Sequence, residues 1–529
     1  MLLSLLSKLF ILSLISLCHA DYCRESEWPR NDPKLQCEGF CRPASCYTTI
    51  ENFKGEILTE SDGAVYNEAR LGWNTAIVPS PIIIAQVANY EDVRRAVLHA
   101  RKCCFKITVR SGGHSLSNFG EFGDLVVDVR SLRNIAINTN DETATVQVGN
   151  RFQSIVDVLA STPYYVIAGS CLNVSISGYM VSGGLGVISR QKGLAVDNLI
   201  SAKMMMANGE LVEITSKSHP DLFWAMSGGG GSNFGISLEF TFKIFKKPTD
   251  LFLYVTVIFS LENAPQAISS ISKFFPQDDN DRSKDKLSFF SFFTRFPQVE
   301  TGLQTYICFF FYNGDPVEGQ QLLDTLYPTL PPNITTITEL RTWPEVQANA
   351  QSPFRIANNG KTAYLTPAHL TVEQATLLRD TYVLLSSDPI APLSVVDLYL
   401  YAGAIGRQDS SRVSFPKSRR KLRFITSQFQ LFTDPSITSE QIVQARARLV
   451  QAFELTKSFQ DMSRIGNQYG PVQSTYAGYQ DLTLDSNDWP AAYYAENFKR
   501  LAELKRRFDP NLIFTGYPQA IGNQPERRK

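Results

Sequence analysis

A histidine and a cysteine stand in two glycine-rich stretches of this 529-residue chain: His114 in ArgSerGlyGlyHisSer at 110–115, and Cys171 closing AlaGlySerCys at 168–171. An imidazole and a thiol in such loops can bind a metal, form a Cys/His catalytic pair, or each bond covalently to a cofactor. A zinc site needs three or four ligands, and no further His or Cys lies near either stretch at ligand spacing. A Cys/His pair leaves the glycines unexplained. Gly112 and Gly113 remove side chains, so backbone N–H groups can approach a bulky anionic ligand. The second stretch runs on through Ser175, Gly178, Ser182, Gly183, Gly184 and Gly186, more glycine than a buried helix or strand tolerates without cause. Something large and flat lies against this backbone.

The elements that must position these loops read as alternating helix and strand from Trp73 onward. Val93, Ala96, Val97 and Ala100 recur at helical spacing after Glu91 and Asp92, which suit a helix N-terminus. β-Branched runs follow at 106–109, just before the His114 loop, at 125–129 and at 144–148, then a helix near 152–159 and a strand ending at Ile167. The pattern predicts two α/β subdomains with a nucleotide held between them. Aromatic, alternating runs at 251–257, 288–293 and 305–311 predict an antiparallel sheet, covered on one face by helices such as 439–456. Tyr494, Phe498, Leu501, Leu504 and Phe508 form the apolar face of a packing helix that stops before Pro510. The expected segments are a leader at 1–20, a cysteine-rich stretch at 21–72, a cofactor domain at 73–247, a substrate domain at 248–464 and a return to the cofactor domain at 465–529.

The first twenty residues carry a lone Lys8 and an apolar core too short to span a bilayer, and they end at Ala20, which predicts a secretory leader. The mature chain of 529 − 20 = 509 residues is expected to be soluble and exported. Lys plus Arg and Asp plus Glu both number 51, so no basic surplus points to nucleic acid or an acidic membrane. Nine cysteines less Cys18 in the leader leave eight; if Cys171 bonds a cofactor, 9 − 2 = 7 remain, an odd number, and Cys308 in an apolar run is the expected free thiol. Asn333-Ile334-Thr335 is the credible glycosylation acceptor, whereas Asn173 is expected to be buried. His99, His219 and His369 read as surface or structural imidazoles.

The two loops do not stand alone. With SerGlyGlyLeuGly at 182–186, ArgGlnLysGlyLeuAlaValAspAsn at 190–198, AspLeuPheTrpAlaMetSerGlyGlyGlyGly at 221–231, AsnPheGlyIle at 233–236, TyrAlaGlyTyrGlnAsp at 476–481 and the turn at 508–511, the chain resembles the FAD-linked oxidases related to berberine bridge enzyme. The resemblance implies an α+β protein: a two-subdomain FAD-binding domain of the vanillyl-alcohol-oxidase type plus an antiparallel-sheet substrate domain. It implies FAD attached covalently through His114 and Cys171. Cofactor contacts are expected from Arg110, Ser111, Gly112, Gly113, Ser115, Gly169, Val174, Gly178, Ser182, Gly183, Gly184, Gly186, Asp197, Gly235 and Ile236. The family also ties its N-terminal segment to the cysteine before the histidine strand, here Cys103 or Cys104.

In the same pattern Tyr479 falls where the family places a substrate-facing tyrosine, with Tyr476 before it. As a base, Tyr479 needs its phenol lowered from about 10 by a nearby positive charge or by hydrogen bonding to the phenolate. Val174 occupies the family's gate for dioxygen. Leu116 replaces the tyrosine common after GlyGlyHisSer, and 414–420 matches the family's substrate-region pattern loosely, which leaves substrate choice open. The implied function is a secreted, monomeric oxidase that takes hydride from a hydroxyl-bearing small molecule and gives it to O2, making H2O2. A dehydrogenase, an oxidative-cyclisation enzyme and a silent flavin- or carbohydrate-binding protein are the alternatives.

Overall fold

The computed structural model describes residues 43–295, 303–348, 355–434, 436–463 and 472–523. The expected leader, Cys23, Cys37 and Cys41 lie outside the described residues.

Strands β1 (Glu56–Leu58), β2 (Ile83–Gln86), β3 (Ile107–Arg110) and β4 (Leu125–Asp128) form a sheet in the order β1-β2-β4-β3. β4 runs parallel to β2 and β3, and its residues are buried throughout, as a parallel sheet requires. The expected helix is Tyr90–Lys102, capped by the Asn89 side chain accepting from the Asp92 N–H, with Val93, Ala96, Val97 and Ala100 packed inward. β3 ends at Arg110, so the His114 loop leaves the carboxyl end of a parallel strand, where open α/β sheets place their ligands.

The second sheet departs from the α/β expectation. Strands β5 (Ile135–Asn138), β6 (Thr143–Gln147), β8 (Leu199–Met205), β9 (Leu211–Thr215) and β10 (Ile236–Lys243) lie in the order β5-β6-β10-β8-β9, all antiparallel. The links joining β5 to β6 and β8 to β9 are too short for the crossover that parallel strands need. A two-stranded ribbon of β7 (Tyr164–Tyr165) and β11 (Phe245–Lys246) sits beside it.

The third sheet takes β12 (Phe252–Ser260), β13 (Leu287–Arg295), β14 (Gln304–Tyr312), β15 (Thr335–Arg341), β16 (Ala357–Leu365), β17 (Val395–Leu400) and β18 (Phe424–Phe432) in the order β15-β12-β14-β13-β17-β18-β16. The three aromatic runs are β12, β13 and β14. Alternation sorts their side chains: Val255, Phe259, Phe289, Phe293, Tyr306 and Phe310 pack in a core with helices Ala264–Phe274 and Val372–Ser386, while their neighbours face the cofactor-domain side. Cys308 is a free thiol in that core, as expected.

A buried ion pair fastens this sheet region to the glycine-rich half. Arg420 donates to both carboxylate oxygens of Asp197, at 2.9 and 2.7 Å. The chain then returns through helix Phe498–Phe508. Tyr494 belongs to a separate helix, Trp489–Tyr494, because Ala495 takes a left-handed φ of 44° and breaks the expected continuous face. Lys505, buried beside Asp509, donates to Asn233 O at 2.6 Å and ties this helix to the AsnPheGlyIle loop. Cys46 and Cys103 form a disulfide, and Cys104 is also disulfide-bonded. Asn333 is exposed, whereas Asn173 is half-buried rather than buried.

Candidate functional site

A cavity of 710 Å³ is lined by residues of all three large sheets and of the C-terminal segment. One wall is loop. Ser111, Gly112, Gly113, His114 and Ser115 follow β3, facing Gly169, Ser170 and Cys171, Val174, Ser175, Gly178, Ser182 and Gly186. Glycine earns its place at two points here. Gly113 has a φ of 68°, and a side chain at Gly112 would meet Ser175 at 3.0 Å. The other wall is the third sheet, with Tyr254, Phe290, Phe292, Phe309, Phe311 and Tyr399.

The two nucleophiles meet. Cys171 Sγ lies 3.5 Å from His114 Nε2, and the Trp73 ring stacks on the His114 imidazole at 5.0 Å and 19°. Burial, reinforced by the charge of Arg151, pushes the His114 pKa down to about 4. His114 is therefore neutral at pH 7, which disfavours the thiolate–imidazolium pair of a Cys/His nucleophile. Among the described residues no group of His, Cys, Asp or Glu assembles to hold a metal.

Most expected contacts reach the cavity, and five residues do not. Asp197 is turned to Arg420 and to the Leu194 N–H at 2.8 Å, because a buried carboxylate takes the strongest buried cation available. Gly183, with φ 118°, is pressed against the Phe415 ring, and Gly184, with φ 76°, against Tyr179 and Ala195; both shape the loop from outside the cavity. Gly235 precedes β10 and Ile236 begins it, both against Met205, and Ser237 lines the cavity instead.

The tyrosines differ from expectation in their electrostatics. The Tyr476 hydroxyl accepts the Gly184 N–H at 3.1 Å, which anchors the glycine loop, and burial pushes its pKa up to about 12. The Tyr479 ring meets it edge-on at 5.4 Å. Burial and then the charge of Asp397 raise the Tyr479 phenol well above its ordinary value, and no cation lowers it. Two buried acids are raised toward neutrality, and the one on the strand wall is Asp397, which the sequence reading missed. Fully buried on β17, with one oxygen accepting the Ser427 N–H at 2.5 Å, it is raised by burial to about 8. Its signal was present in the alternation Val395, Asp397, Tyr399, which puts an acid on the inward face of a strand. Glu121, also missed, is buried 3.7 Å from the Arg110 Nε and raised by burial to about 7.

The donor set suits a dinucleotide with a flat ring. Serine hydroxyls and glycine backbone at one end, with Arg110 as the cation behind them, fit phosphates and hydroxyls. A side chain at Gly178 would meet nothing within 4 Å, so that backbone stands open to a ligand. Aromatic walls and paired nucleophiles at the other end fit a ring system.

Comparison with known proteins agrees with this arrangement. The chain matches an FAD binding domain over residues 81–215 and the "Berberine and berberine like" family over 475–522. Its structure superimposes on xylooligosaccharide oxidase from Myceliophthora thermophila with a TM-score of 0.77 at 22% identity, covering 90% of this chain and 98% of that one. For berberine bridge enzyme from Eschscholzia californica the TM-score is 0.73 at 20% identity, covering 90% and 98%. The fold is therefore that of the FAD-binding oxidases of this type. In sequence it is 25% identical to an FAD-linked oxidoreductase of Bacillus subtilis over 87% of this chain and 95% of that protein. It is 39% identical to xylooligosaccharide oxidase of Thermothelomyces thermophilus over 34% of this chain and 37% of that relative. The protein is an FAD-linked oxidoreductase that carries an FAD binding domain and a berberine-like C-terminal segment.

Proposed function

We propose that this chain is an exported oxidase whose FAD is held covalently by both His114 and Cys171, and which oxidises a hydroxyl-bearing small molecule with O2 as acceptor. The observation that carries the reading is the 3.5 Å approach of the Cys171 thiol to a neutral His114 imidazole at one edge of the cavity. Bound FAD supplies the hydride acceptor. The protein's own part is to hold the cofactor ring, to exclude water with the aromatic sheet, and to take the substrate's hydroxyl proton.

That proton goes to the coupled pair Asp397 and Tyr479. Tyr479 alone stays protonated at neutral pH, since burial and the Asp397 charge both raise it. Asp397, raised to about 8, is half-ionised just above neutrality and is the better acceptor, while the phenol orients the hydroxyl. Val174, beside Cys171 on the cavity wall, leaves an approach for dioxygen. The disulfide Cys46–Cys103 suits an oxidising compartment, and no described helix is long and apolar enough to cross a membrane. The exposed Asn333 is the proposed glycan acceptor, and the enzyme acts as a monomer.

The test is retention of colour. Acid-denatured protein keeps its flavin absorbance; His114→Ala or Cys171→Ala alone keeps one linkage; the double variant releases the cofactor. Release from the wild type would falsify bicovalent attachment. Peroxide formed on readmitting air after anaerobic reduction separates the oxidase from a dehydrogenase, and unreduced flavin with every substrate class indicates a binding protein.

A further inference from the structure

Residues 69–74 form a strap between the His114 loop and the start of β16, and they are tied to both. On the loop side Arg110 donates to Ala69 O and to Leu71 O, the Trp73 N–H donates to Gly113 O at 2.7 Å, and Asn74 donates to Leu116 O at 2.7 Å. On the sheet side Trp73 O accepts the Ile356 N–H at 3.0 Å, and Asn74 donates to Asn358 O at 3.0 Å. The Trp73 backbone is thereby clamped from two directions. Its indole lines the cavity and lies on the His114 imidazole, stacked at 5.0 Å and 19°. The indole Nε1 is buried and has no hydrogen-bond partner among the described residues, so packing alone orients this ring.

A histidine's backbone does not set the plane of its ring, because the last side-chain torsion is broad and two-fold. Among the described residues the one side chain bonded to the imidazole is the Cys171 thiol at 3.5 Å, a weak partner. Stacking on a clamped indole supplies what that bond does not. We infer that Trp73 is the positioning residue for the bond between His114 and the cofactor: it fixes the imidazole plane in which a ring nitrogen bonds. The inference rests on the covalent attachment proposed above. In that step a methyl C–H bond of the flavin ring and the imidazole N–H give way to a C–N bond. The two hydrogens and their two electrons are left on the cofactor, and O2 takes them to give H2O2. A thiol has no ring plane to set, so the bond to Cys171 does not need Trp73.

The experiment follows attachment of FAD in air to the full-length chain produced under flavin limitation, read as flavin retained after acid precipitation and as the mass of the peptides that carry His114 and Cys171. Trp73→Leu is placed in two backgrounds, Cys171→Ala, which leaves the histidyl bond alone, and His114→Ala, which leaves the cysteinyl bond alone. Histidyl attachment is expected to slow about 100-fold, the scale for a reacting group out of line, while cysteinyl attachment keeps its rate and reports an intact cradle. Trp73→Phe, which retains a stacking ring, is expected to restore histidyl attachment to within about threefold. An equal fall in both backgrounds makes Trp73 a packing residue of the whole cradle and overturns the inference, as does an unchanged histidyl rate. A Phe variant as slow as the Leu variant overturns stacking as the cause. If Cys171→Ala with Trp73 in place forms no histidyl bond at all, the bicovalent reading falls and the inference falls with it; the other outcomes leave that reading standing.

Discussion

One cavity in this protein has a wall of glycine and serine on loops and a wall of phenylalanine and tyrosine on strands. The loop wall has positive-φ glycines, short side chains and backbone N–H groups, and its residues come from stretches set by local chemistry. The strand wall has large rings held in register, and its one acid, Asp397, is buried within a seven-stranded sheet. On the proposed function the first wall holds a cofactor that every turnover reuses, and the second chooses what that cofactor meets. Changes on the loop wall are therefore expected to alter cofactor retention and reoxidation, and changes on the strand wall to alter reduction by substrate.

The sharpest break comes from Asp397→Asn. The carboxyl is uncharged below about pH 8, so asparagine mimics its resting form and the fold is retained. Anaerobic flavin reduction is expected to fall about 10²- to 10⁴-fold, the range for a lost general base, with reoxidation unchanged. The pH dependence follows from the raised pKa. Wild-type reduction climbs as pH rises through about 8, and the stability from the neutral acid, fully present below about pH 4, is lost over the same rise. Asp397→Asn flattens both profiles; a variant that keeps the wild-type rise places the titrating group elsewhere.

At the seam between the walls, Asp197→Asn leaves Arg420 buried without its partner, and denaturant unfolding is expected to lose about 3–5 kcal/mol. Replacing both residues, Asp197→Leu with Arg420→Met, recovers most of the loss. A single variant as stable as wild type would show that the two halves hold together without the pair. Tyr479→Phe is expected to slow flavin reduction about 10²-fold, and in combination with Asp397→Asn to add little, because the two act on one proton. Full additivity of the two effects would separate their roles. The smallest effect belongs to the loop wall: Val174→Leu slows reoxidation by O2 about tenfold, roughly 1.4 kcal/mol of barrier, and leaves reduction by substrate intact. Reoxidation at the wild-type rate would remove Val174 as a gate.

These two walls were unequally legible in the sequence. His114, Cys171 and their glycines stood out because unusual residues clustered within a few positions, and β3 and β4 because β-branched runs flanked them. The aromatic strands were visible as alternation, but not which ring faced which side, since that depends on the register of β17 and β18. Asp397 was missed because one acid in an apolar strand has no local mark of its burial. Asp197 was assigned to the cofactor because its partner Arg420 lies 223 residues away, beyond any local pattern. The second sheet was expected among α/β elements because strand patterning does not distinguish parallel from antiparallel neighbours.

The loop wall is closed by the C-terminal segment of the described chain. Side chains added at Gly230 and Gly231 would lie 2.8 and 2.6 Å from the hydroxyls of Tyr494 and Tyr517, and Lys505 holds the intervening helix to Asn233. A ribosome that has finished the third sheet has already made both nucleophiles, yet not the tyrosines that shut the cradle around them. Closure of the cradle is therefore expected only once the last segment has emerged, and a chain terminated before Tyr494 carries His114 and Cys171 in an open trough, where the proposed covalent bonds alone would retain the cofactor.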